Sequence, residues 1–136
     1  MITRADIVIE AKTWIGTPFH HQAAVKRVGC DCAGMVKGVW RELGNDVSKV
    51  PVDYPRTPSG GNLVRILIEF LDRTVTPKAG DVILFTLLNE PQHLGILTDK
   101  NTVIHAYQPF GKVVEHRLDD KWKRRVTAYY SFRGVE

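Results

Sequence analysis

The apolar residues of this chain change their period once, near Pro77. Before that point they recur at helical spacing; after it they come in short runs suited to strands. Thr3 and Asp6 read as a helix start, with Ile7, Val8, Ala11, Trp14 and Ile15 on one face and Gly16 as the stop. A second helix starts at Cys32 behind Asp31, a good N-cap residue, with Val36, Val39, Trp40 and Leu43 continuing its apolar face until Gly44. Pro51, Pro55, Pro58, Gly60 and Gly61 mark an irregular surface loop. A third helix is expected over 62–71. Strands are expected at 81–85, 93–98, 103–106, 113–116 and 129–132, with a hairpin turn at 99–101. Helices first and strands afterwards make an α+β domain, its N-terminal helices packed on a C-terminal antiparallel sheet of about five strands. At 136 residues, without repeat or linker, the chain reads as one domain.

Composition narrows the function classes. With 43% hydrophobic and 25% charged residues the chain resembles an ordinary globular protein, large enough to need no disulfide or metal for stability. Its longest apolar run, 63–71, is broken by Arg65 and Glu69, far short of the roughly 20 apolar residues that span a bilayer. The N-terminus shows no basic segment followed by an apolar one, so no secretory signal is expected. Net charge is +4, and the basic residues cluster only in Lys121-Trp122-Lys123-Arg124-Arg125. No nucleic-acid motif accompanies that cluster, which reads as a solvated turn with Trp122 packed inward.

The two cysteines, Cys30 and Cys32, are one residue apart, too close for an unstrained bridge. In Gly29-Cys30-Asp31-Cys32-Ala33-Gly34-Met35-Val36 the second thiol lies in the first turn of a helix. Free N–H groups and the positive end of the helix dipole favour a thiolate there, so a lowered thiol pKa is expected. Gly34 allows a strand or substrate close to the helix, and Cys30 is assigned to packing. A cysteine nucleophile needs a base, and the base needs an orienting partner. His93 and His105 are separated by an even number of residues on two strands joined at 99–101. Their rings can lie side by side on one face, one taking the thiol proton and the other fixing its tautomer. His20 and His21 precede Cys32 in the loop, but the spacing of His20, His21, Cys30 and Cys32 does not suit zinc. His116, among charged residues, reads as solvated.

These residues resemble the NlpC-type cell-wall cysteine peptidases. Asp31-Cys32-Ala33-Gly34-Met35-Val36 matches that family's nucleophile motif, and His93-Leu94-Gly95-Ile96 matches its base motif. His105 within Ile104-His105-Ala106 matches the third polar residue, and Gly80-Asp81-Val82-Ile83 resembles the entry to the first strand. Gly16-Thr17-Pro18-Phe19-His20-His21-Gln22 with Gly29-Cys30-Asp31-Cys32 is similar to a branch encoded by phages and gene transfer agents.

The resemblance implies a papain-like core and hydrolysis of an amide in the peptidoglycan stem peptide, between γ-linked D-glutamate and diaminopimelate. Cys32 would be nucleophile, His93 base and His105 its partner, with no cofactor. Many members carry a tyrosine ahead of the nucleophile. Phe19 and His21 occupy that part of the loop here, so an oxyanion or substrate role is assigned to His21, beside Phe19 and Asp31, with the backbone N–H of Cys32 available as donor. By analogy the expected partners are peptidoglycan and tail-tip hub or baseplate proteins. The expected place is a virion tail tip acting on the periplasmic wall; a membrane span and nucleic acid are not expected. The competing reading is a structural tail-tip component or wall-binding module whose site is vestigial or blocked.

Overall fold

The computed structural model describes residues 1–51, 54 and 61–136, so most of the loop expected around Pro55 and Pro58 lies outside the described residues. Helix α1 (Arg4–Lys12) opens on a capping box. The Asp6 N–H donates to Thr3 Oγ1 at 3.1 Å and the Thr3 N–H to Asp6 Oδ2 at 2.9 Å. Ile7, Val8 and Ala11 are buried, and so is Trp14. Ile15 departs from its expected inward position and is 43% exposed. The helix ends at Lys12, so helical spacing no longer aims the residues beyond it.

A short hairpin, β1 (Ala24–Val25) and β2 (Gly29–Cys30), leads into α2 (Cys32–Glu42), and α3 (Asn62–Phe70) follows. The remaining strands are β3 (Asp72–Thr74), β4 (Val82–Leu87), β5 (Glu90–Leu97), β6 (Thr102–Tyr107), β7 (Lys112–Arg117) and β8 (Val126–Ser131), with the turn of helix α4 (Asp120–Lys123) before the last. They form one antiparallel sheet in the order β3-β8-β4-β5-β6-β7. The α+β expectation holds, with a sixth strand at the edge. Asp72-Arg73-Thr74 carries no apolar alternation and is held by pairing with β8, which is why its sequence gives no strand signal.

Both faces of the sheet are covered, which explains the unbroken apolar run Val82-Ile83-Leu84-Phe85. Val82, Leu84, Ile96 and Ile104 face the helices and meet Ile7, Trp14, Met35 and Leu67. Ile83, Phe85 and Val103 point the other way, against Leu118 and Trp122. Gly38 lets α1 and α2 close up, since a Cβ there would fall 2.2 Å from the Trp14 ring. Arg4 bonds Asp81 at 2.6 Å, and Asp81 also accepts from the Ser131 hydroxyl and the Lys78 N–H, tying α1 to the sheet.

Candidate active site

Asp31 caps α2 as expected, and it does more. Its Oδ1 accepts the Gly34 N–H at 2.7 Å, its Oδ2 accepts the Gln22 N–H at 2.7 Å, and the Tyr54 hydroxyl donates to the carboxylate at 2.7 and 2.8 Å. His21 Nδ1 lies 3.7 Å from Oδ2. A buried carboxylate with this many donors fixes the start of α2 against the preceding loop. Gly34 is needed for that contact, because a Cβ would lie 1.9 Å from the Ala23 carbonyl oxygen.

Cys32 is therefore held at the mouth of α2. It opens onto a cavity of about 380 Å³ that is also lined by Phe19, Tyr54, His93, Tyr107 and Arg125. The base side comes from the opposite face of the sheet. Strands β5 and β6 form ladder pairs only at Ile96↔Ile104 and Leu97↔Val103. Past those pairs, His93 on one strand and Tyr107 on the other line the cavity. His93 Nε2 lies 2.6 Å from His105 Nδ1, which leaves Nδ1 of His93 as the ring nitrogen available to the cavity. Gly95 makes room for this pair, since a Cβ there would stand 3.3 Å from that of His105 and 2.5 Å from Val103 Cγ2.

Burial drives both reacting groups towards their neutral forms. It pushes the Cys32 thiol up to about 12, Asp31's negative charge adds to the rise, and backbone groups of Leu94, Ala33 and Cys32 itself offset only part of it. The expected lowering at a helix start is thus overturned, because burial penalises the thiolate and the carboxylate that caps the helix repels it as well. Burial, with lesser contributions from the charges of Arg125 and His116, pulls His93 down to about 3. His105 is pulled down to about 2 by burial, then by His93 and His116. A neutral imidazole that opens onto the same cavity as a neutral thiol is a base with its lone pair intact.

The NlpC/P60 family model matches residues 16–131, which hold every feature just described. The chain belongs to the NlpC/P60 family. It is 24% identical over 123 residues to the murein DD-endopeptidase MepS/murein LD-carboxypeptidase of Escherichia coli, a match that covers 90% of this chain and 59% of that protein. The crystal structure of the NlpC/p60 domain of the peptidoglycan hydrolase SagA aligns with a TM-score of 0.66 and 25% identity, covering 96% of this chain and 100% of that one. RipB, a peptidoglycan hydrolase of Mycobacterium tuberculosis, shares the fold with a TM-score of 0.64 and 18% identity, over 98% of this chain and 65% of that one.

Within this NlpC/P60 frame the structure brings Cys32, His93, Asp31 and Phe19 to one cavity, with His105 directly behind His93. His21 sits against Asp31 and edge-on to Tyr54, at a ring-centroid distance of 5.8 Å. His20 is exposed and Cys30 is fully buried, its thiol pushed up to about 12 by burial first. Three residues at the site escaped the sequence reading. Tyr54 brings a phenol to Asp31 from a proline-rich segment; burial and the Asp31 charge hold that phenol above its usual range. Arg125 is the only Lys or Arg among the described residues lining the cavity, its guanidinium 4.6 Å above the Trp122 ring. His116, expected in solvent, is half-buried with Nε2 2.8 Å from His105 Nε2.

Proposed function

We propose that this chain is a cysteine peptidase hydrolysing amide bonds in peptidoglycan stem peptides, with Cys32 as nucleophile, His93 as base and His105 as the group that holds the base. The observation that carries this reading is the opening of a helix-start thiol and a neutral, partnered imidazole onto one cavity. His93 Nδ1 accepts the thiol proton as the sulfur attacks the scissile carbonyl, so the thiolate forms only as it is used. The Asp31 side chain already takes the Gly34 N–H, leaving the N–H of Cys32 to steady the oxyanion. His93 Nδ1 then returns the proton it took to the leaving amine, and water, activated by the same ring, releases the acyl group. Arg125 suits a stem peptide rich in carboxylates. Gln92 adds an acceptor: its Nε2 donates to the Leu87 carbonyl, while its buried Oε1 lacks a protein partner among the described residues.

The finer assignment is cleavage between D-γ-glutamate and diaminopimelate by a protein of a phage or gene-transfer-agent tail tip, docked on hub or baseplate proteins and acting on the periplasmic wall. It is supported by the likeness of the Gly16-to-Gln22 segment and of Cys30-Asp31-Cys32 to that branch. Mass spectrometry of peptidoglycan incubated under reducing conditions with the protein, beside Cys32→Ala, tests both levels. New fragments from the unaltered protein alone are expected, and their termini identify the bond. No fragments, or equal fragments from both proteins, would overturn the peptidase reading.

A further inference from the structure

Behind the base, the hydrogen-bonded imidazoles do not stop at two. His93 Nε2 meets His105 Nδ1 at 2.6 Å, His105 Nε2 meets His116 Nε2 at 2.8 Å, and His116 Nδ1 meets the Arg117 carbonyl oxygen at 2.9 Å. The three rings step from β5 across β6 to β7, from the cavity wall to a half-exposed position above an open groove. Register explains the alignment: His116 lies opposite Val103, and His105 opposite Val114, so both rings stand on the same face of the sheet.

The outer end of this row fixes the inner end. A carbonyl oxygen can only accept, so His116 Nδ1 carries a hydrogen and, in the neutral ring, Nε2 accepts. His105 must then donate from Nε2 and accept at Nδ1, and His93 must donate from Nε2. The lone pair of His93 is thereby placed on Nδ1, the nitrogen a base at this cavity needs.

We propose that His116 is the positioning residue of the site: it sets the tautomer of His93 through His105 and receives the positive charge when Cys32 loses its proton. This rests on the peptidase reading above. The step balances as three short transfers: the thiol proton goes to His93 Nδ1, the His93 Nε2 proton to His105 Nδ1, and the His105 Nε2 proton to His116 Nε2. A thiolate and two neutral rings remain, with one imidazolium at His116. That ring is the least buried of the three, where a charge is least costly. The inner rings resist the charge, since burial holds His93 and His105 far below the ordinary imidazole range.

The same row runs backwards in acid. Protonated His116 donates from both nitrogens, so His105 Nε2 must accept, His105 Nδ1 donates, and His93 Nε2 accepts. The hydrogen of His93 then sits on Nδ1, the nitrogen left to the cavity, and the base is lost. Around His116 stand Lys112 and Arg117 of its own strand, His105 of β6, and Asp119 and Trp122 of the α4 segment, with Arg125 stacked beyond Trp122.

Imidazole ¹⁵N resonances of the full chain test this without reference to turnover. In mild alkali, His93 and His105 should both be protonated at Nε2, and His116 at Nδ1. As acid protonates His116, the hydrogen on His93 should move to Nδ1. A hydrogen already on Nδ1 in alkali, or a His93 signal indifferent to His116, overturns the proposal even if the protein proves inactive on peptidoglycan.

Two variants extend the test. His116→Gln can keep an oxygen towards His105 Nε2 and its amide hydrogens towards the Arg117 carbonyl, whereas His116→Lys can only donate. On peptidoglycan the Gln variant, which keeps the tautomer but cannot take the proton, should lose on the order of 10²-fold in alkali, and its acid limb should shift to lower pH. The Lys variant should lose on the order of 10⁴-fold, the loss seen when a catalytic imidazole is held in the wrong tautomer. Equal activities for the two, or an unmoved acid limb in His116→Gln, count against the relay.

Discussion

Replacing Asp31 by Asn keeps the shape of the side chain and should move two observables in opposite directions. The carboxylate accepts the Gly34 and Gln22 N–H groups on separate oxygens, with Tyr54 shared between them. An amide has one oxygen, so one backbone N–H must face an NH₂. Gly34 is buried and Gln22 exposed, which decides the orientation: the oxygen stays on Gly34, and the Gln22 N–H turns to water. The loss is one charge-assisted hydrogen bond and part of the Tyr54 bond, about 2–3 kcal/mol. For a domain of this size that lowers Tm by roughly 6–12 °C. The Cys32 thiol, meanwhile, loses the negative charge that helps to push it up to about 12, so its pKa falls. Thermal unfolding followed by circular dichroism reads the first effect; the pH dependence of Cys32 alkylation by iodoacetamide reads the second. Unchanged Tm, or an alkylation midpoint that stays or rises, would refute the assignment of Asp31 as both cap and brake on the thiolate.

Acid should destabilise the fold. His93 and His105 sit at about 3 and about 2 against an ordinary 6.5, so between those limits the unfolded chain binds more protons and stability falls as the pH drops below about 6.5. A slope approaching about 2.7 kcal/mol per pH unit, two protons at about 1.36 each, is expected in urea melts, and a flat profile from pH 6.5 to 4 would contradict the burial of these rings. Gly95→Ala places a methyl 2.5 Å from Val103 Cγ2 and 3.3 Å from the His105 Cβ, which should cost about 1–3 kcal/mol and cut activity further than the stability loss explains. Arg125→Gln should raise KM for anionic stem peptides with little change for amidated ones, and should raise the pKa of His93 by removing a nearby cation. Steady-state kinetics on the two peptide forms and an NMR titration would check it; equal KM changes would sink the recognition role.

Residues whose local chemistry is self-contained were readable from the sequence. Asp31 followed by Gly34 and the spaced Val36 and Val39 give a capped helix without reference to the rest of the chain, and the even interval between His93 and His105 puts them on one face of the sheet. What failed depended on distant partners. β3 exists because β8 pairs with it, and Tyr54 matters because Asp31, far back in the chain, takes its hydroxyl. His116 lies between Glu115 and Arg117, and that neighbourhood suggested solvent. Its place beside His105 follows only from the register of β6 and β7. The acidity of Cys32 departs from the sequence expectation for a similar reason: the helix start is local, whereas burial is a property of the assembled fold.

The missing side chain at position 34 has a consequence for engineering. Ala23's carbonyl rests where that side chain would stand, so the segment bearing Phe19 and the helix bearing Cys32 behave as one machined joint. A chimera that borrows 17–31 from a relative has to import the matching first turn as well. Libraries that randomise one half of the joint alone will mostly sample unseated loops.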